Sequence, residues 1–89
     1  MKEKIIVVFE RKDLQQSMDI ELPVSITANE LIFGLNRGLN LGINMERPED
    51  CFLRTENPVT LLRGDETIEN YGLHDGTRII YDRAKGVRS

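Results

Sequence analysis

Thr27-Ala28-Asn29-Glu30-Leu31-Ile32-Phe33-Gly34-Leu35-Asn36-Arg37-Gly38-Leu39 is the stretch on which the fold turns. Its first four residues have the form of a capping box. The Thr27 hydroxyl can accept from the amide of Glu30, and the Glu30 carboxylate can reach back to the amide of Thr27. A helix therefore starts here. Ala28, Leu31, Ile32, Leu35 and Leu39 recur at helical spacing and form one apolar stripe, with Phe33 on the opposite side. Gly34 and Gly38 each cost about 1 kcal/mol relative to alanine inside a helix, so this helix needs a packing partner. Gly38, Asn40 and Gly42 are the plausible stops.

Working outward, the flanks read as strands. Residues 4–10 (KIIVVFE) are β-branched and aromatic on both faces, as suits a strand inside a sheet. A polar turn (11–16) follows. Met18, Ile20 and Leu22 then alternate with Ser17, Asp19 and Glu21, which predicts a half-buried strand ended by Pro23. Beyond the helix, 44–50 (NMERPED) is a polar connection broken by Pro48. A third strand is expected over 51–56, a turn at Asn57-Pro58, a fourth strand over Val59 to Leu62, and a further turn at Arg63-Gly64-Asp65. Residues 67–73 suggest one short helical turn closed by Gly72. Asp75-Gly76 is a tight turn, and 77–82 (TRIIYD) is the last strand. A single helical stripe must be buried against one face of a mixed sheet of four to five strands. With the first and last strands side by side, this is the α+β arrangement called β-grasp.

Composition narrows the function. The chain has 89 residues, which suits one domain, with the fold over 1–83 and a flexible tail over 84–89. A domain of this size buries roughly 60% of the surface of its unfolded chain, leaving little apolar area for a deep pocket. The net charge is −3. The basic residues are scattered, so no nucleic-acid partner is expected. Arg83, Lys85 and Arg88 make a short basic end. The apolar run after Lys4 is five residues long and is closed by Glu10. That is too short for a secretory segment, and no stretch approaches a membrane span. Cys51 is the one cysteine, so no internal disulfide is expected and a reducing, cytoplasmic setting fits.

Three segments carry a resemblance. Glu66-Thr67-Ile68-Glu69-Asn70-Tyr71-Gly72-Leu73, then Arg78-Ile79-Ile80-Tyr81, resembles the C-terminal third of ubiquitin-like domains. Thr27 to Ile32 sits where the ubiquitin helix begins. Within that superfamily, Met18 to Leu22 and Ile68 to Ile79 are most similar to the YukD/EsaB-like small proteins of bacterial type VII secretion. A weaker likeness is to the small ubiquitin-like subunit of multicomponent bacterial monooxygenases. The first resemblance implies a cytoplasmic accessory that docks on a protein partner, such as a cytoplasmic part of a membrane secretion machine. The second implies a structural subunit of an oxygenase. A third reading is a carrier protein activated at its C-terminus. Ubiquitin and its sulfur-carrier relatives end in Gly-Gly, whereas Lys85-Gly86-Val87-Arg88-Ser89 places branched and long side chains after its glycine, so no conjugation is expected.

The chemistry-bearing residues point away from catalysis. His74, the one histidine, lies in a turn beside Asp75, and Cys51 reads as a small apolar residue next to Phe52. No third group orients that pair. The acids at 46, 49 and 50, and at 65, 66 and 69, lack the spacing of a calcium loop. No catalytic residue, cofactor or metal is expected. What remains is surface. If Ile79 and Leu53 face the helix, alternation turns Ile80, Arg78, Phe52 and Arg54 to the far side of the sheet, where ubiquitin-like folds commonly dock partners. Phe33, on the outer helix face, is a second candidate, unless it lies under the 44–50 loop.

Overall fold

The structure is a computed structural model that describes residues 3–82. The expected tail over 84–89, with its basic residues and its lone glycine, lies outside the described residues. Among the described residues, five strands and one α-helix follow in order: β1 (Lys4–Arg11), β2 (Gln16–Pro23), α1 (Ala28–Leu39), β3 (Leu53–Glu56), β4 (Thr60–Leu62) and β5 (Arg78–Tyr81). The sheet order is β2-β1-β5-β3-β4. β1 and β5 pair in parallel at the centre, and every other neighbouring pair is antiparallel.

The capping box forms with both its bonds. Glu30 N donates to Thr27 Oγ1 at 3.0 Å, and Thr27 N donates to Glu30 Oε1 at 2.9 Å. The other free amides of the first turn reach a loop instead of water: Ala28 N donates to Glu66 O, and Asn29 N to Gly64 O. Asn29 Oδ1 accepts from Gly64 N in return. The helix stops at Asn40, which takes the left-handed conformation (φ 56°, ψ 53°), a state asparagine tolerates better than most residues. Arg11 Nη1 donates to Leu39 O at 3.0 Å, which sets a cation on the negative end of the helix.

Ala28, Leu31, Ile32 and Leu35 are buried, as the stripe predicts. They pack in one cluster with Ile5, Val7 and Phe9 of β1, Leu22 of β2, Leu53 of β3, Leu62 of β4, and Ile79 and Tyr81 of β5. Ile68 and Leu73 join from the segment before β5. Leu41 and Ile43 extend the cluster from the loop after the helix, which Asn36 holds by a two-way bond to the backbone of Ile43 (2.8 and 2.9 Å). The Tyr81 hydroxyl donates to Leu41 O at 2.6 Å, so the buried phenol is satisfied. Two buried threonines are satisfied as well: Thr55 Oγ1 donates to Pro58 O and Thr77 Oγ1 to Asn57 O.

Four local readings need correction. Residues 51 and 52 precede the third strand, because Pro48–Asp50 winds into a 3₁₀ turn that delays its start to Leu53. That turn replaces part of the expected irregular connection at 44–50. Val59 lies outside β4, which begins at Thr60. Residues 67–73 make consecutive turns and no helix; Leu73 N returns to Ile68 O, and Gly72 supplies a φ of 86°. Tyr71 anchors this segment, its hydroxyl donating to Arg63 O at 2.6 Å.

Candidate docking surface

One helix covers one face of the sheet, and the pairing register assigns the residues of the other. Arg54 lies opposite Ile80 and also opposite Leu61. Ile80 lies opposite Glu10, and Arg78 opposite Val8 and Glu56. On the hairpin, Ile6 faces Glu21 and Val8 faces Asp19. Side chains directly opposite each other share a face, so all of these stand on the side away from α1.

Arg54, Arg78 and Ile80 are thus neighbours on one surface, as alternation predicts. The exposure of Ile80 is the correction: it is 2% accessible, although it stands apart from the helix-side cluster. The reason is electrostatic and geometric. Arg54 pairs with Asp82, two residues beyond Ile80, and Arg78 reaches Glu10, the residue opposite Ile80, at 3.2 Å. Two diagonal ion pairs therefore flank the isoleucine, and long arginine stems cover apolar surface while their heads stay wet. Phe52 is half-buried just before β3. Among the described residues of this face, Ile6, 51% exposed, and Leu61 on β4 are open apolar groups, and Val8 is half-buried. Neither stood out in the sequence, although the same alternation that turns Ile80 outward also turns Ile6.

Phe33 is 49% exposed on the outer side of α1, with the Arg37 guanidinium 5.5 Å from its ring centre. It borders a groove of about 470 Å³ shared with Asn29, Glu30, Met45, Pro48 and Arg63. The 44–50 segment thus walls the groove beside Phe33 without closing over the ring. Cys51 is buried at the floor of that loop, its thiol within reach of the carbonyls of Arg47 (3.4 Å) and Asn44 (3.5 Å). His74 is exposed, and its Nδ1 lies 2.8 Å from Asp75 O. Glu49 holds its carboxyl below the usual range, first because its own backbone amide bonds to it and then because Arg47 does. Among the described residues, no three His, Cys, Asp or Glu side chains gather as a metal site, and no helix is long and apolar enough to cross a membrane.

A lone capped helix over a five-stranded mixed sheet, with its first and last strands parallel at the centre, is the ubiquitin-like β-grasp. Solved ubiquitin-like domains superpose accordingly. The chain is similar to the ubiquitin-like domain of tubulin-binding cofactor B, with a TM-score of 0.74, 18% identity, and 100% of this chain and 99% of that one covered. It is also similar to the C-terminal ubiquitin-like domain of mouse tubulin-specific chaperone e, with a TM-score of 0.71, 15% identity, and 98% and 93% covered. The ubiquitin-like domain of Plasmodium falciparum Dsk2 gives a TM-score of 0.60 at 19% identity, with 86% and 96% covered. At such identities the likeness concerns the fold. No curated protein matches by sequence. The chain belongs to the YukD family: residues 4–80 match the family described as "WXG100 protein secretion system (Wss), protein YukD". Of the two resemblances drawn from the sequence, the match supports the one to type VII secretion.

Proposed function

We propose that this chain is a non-catalytic, cytoplasmic accessory of the WXG100 secretion system that acts by docking a protein partner on the uncovered face of its sheet. The observation that carries the reading is the one-sided architecture. The helix and its loop bury one face, while Arg54 and Arg78 stand beside a covered Ile80 on the other, and Phe52 lies half-buried just before the strand of Arg54. Aromatic and arginine side chains are the types enriched where protein interfaces concentrate their energy. Family membership supplies the setting, and a cytoplasmic part of the secretion machine is the partner class it favours. Phe33 and its groove are the second surface within this reading.

The test is export of a WXG100 substrate from the native host. A strain lacking this protein is complemented with the unaltered gene or with Phe52→Ala/Arg54→Glu. Export is expected to fail with the variant while its thermal unfolding midpoint stays within a few degrees of the parent. Full export from the variant would remove the sheet face from the reading, and full export from the deletion strain would remove the secretion role.

A further inference from the structure

The outer edge of β2 is a feature that the sheet-face reading does not use. β2 is the first strand in the sheet order and has eight residues, against three in β4 at the other edge. The register fixes which of its amides are free. Val24 N donates to Glu3 O, which continues the β1–β2 pairing and makes odd residues of β1 and even residues of β2 the mutually bonded pairs. The β1–β5 side agrees, since Val8 N donates to Thr77 O and Ile6 O accepts from Gly76 N. The amides and carbonyls of Ser17, Asp19 and Glu21 therefore point outward, away from the sheet.

Both faces of that edge are selective. On the helix side, Met18 is 37% exposed and Ile20 is only partly covered, so the apolar row continues to the rim. On the other side, Asp19 and Glu21 stand exposed two residues apart, with no cation paired to either among the described residues. We infer that the β2 edge accepts an extended strand from a partner protein, one that alternates apolar residues toward Met18 and Ile20 with Lys or Arg toward Asp19 and Glu21. Main-chain bonds to an exposed edge supply affinity, and the alternate side chains supply selection. The acids also argue against a second copy of this chain. An antiparallel self-pairing that uses the length of the strand sets Asp19 against the Asp19 or Glu21 of the copy, and like charges directly opposite destabilise a sheet. The inference is independent of the sheet-face reading, since it uses neither Arg54 nor Phe52.

The test uses the full chain, labelled with ¹⁵N, and a capped peptide of about eight residues alternating valine and lysine, long enough to span the strand. Valine–glutamate and composition-matched scrambled peptides are the controls. The valine–lysine peptide should slow amide exchange at Ser17, Asp19 and Glu21, with Met18 and Ile20 already protected in its absence. Asp19→Lys/Glu21→Lys should weaken that binding about tenfold or more and admit the valine–glutamate peptide. Asp19→Pro removes the central outward donor without touching a bond to β1, and should abolish the protection. Equal protection by the scrambled peptide, protection confined to the Phe33 groove, or protection that rises with protein concentration alone would each overturn the inference. If a variant loses its dispersed spectrum, the three-peptide comparison on the unaltered chain decides.

Discussion

The two faces of the sheet bury side chains by different means. On the helix side, Phe9, Ile32, Leu53 and Ile79 are enclosed by other apolar groups from every element. On the opposite side, Ile80 is as inaccessible as they are, yet its neighbours in register are Glu10 and Arg54, flanked by Arg78 and Asp82. A low accessibility therefore has two meanings here. Under the helix it marks close packing of groups that cannot move apart. Under the ion pairs it marks a cover of solvated, jointed side chains. The first kind of burial holds the fold together, and the second covers the face on which docking is proposed.

The largest expected effect breaks the helix side. Phe9→Ala removes a fully enclosed ring where the surroundings cannot collapse, and should cost about 3–5 kcal/mol in chemical denaturation. Ile80→Ala should cost about 2 kcal/mol, the low end for such a truncation, because arginine stems can settle into the space. Equal costs for the two would show that the outer cover is as rigid as the core. Removing the cover itself should matter least for stability: Arg54→Ala and Arg78→Ala are each expected to cost about 0.5 kcal/mol, less in high salt, and to raise the protease sensitivity of neither variant.

The smallest effect is a titration. Glu49 is bonded in its charged form, so its folded pKa lies below the value of 4.5 usual for the free side chain. Its contribution is present above that unfolded value and fades as pH falls through the folded one. Arg47→Ala should move the Glu49 midpoint, read by carbon-detected NMR, only part of the way back upward. The backbone bond, which is the larger cause, remains.

The helix was the most legible part of the chain. Thr27 and Glu30 specify its start by local chemistry alone, and the buried stripe follows from spacing. The stripe called for one sheet face to cover it, and the central pairing of β1 with β5 came with the β-grasp arrangement that the order of elements suggested. The start of β3 was not legible, because Pro48 can end a segment or open a 3₁₀ turn, and the sequence around it does not distinguish the two. At the candidate docking surface, alternation gave the shared face of Arg54, Arg78 and Ile80. It could not give accessibility, which depends on diagonal ion pairs between residues as distant in sequence as Glu10 and Arg78. The groove beside Phe33 was hidden for a similar reason, since its walls come from the helix, the 45–51 loop and the Arg63–Gly64 turn.

The parallel pairing of β1 with β5 has a consequence for how the protein is made. It joins Val8 to Arg78 and Arg11 to Tyr81, so the middle of the sheet waits for the last of the described strands to be made. Until then the β1–β2 hairpin and the helix can form only locally, with their shared apolar surface exposed. A nascent chain stalled before residue 78 would lack the centre of its own core, which makes this domain an all-or-nothing product of translation.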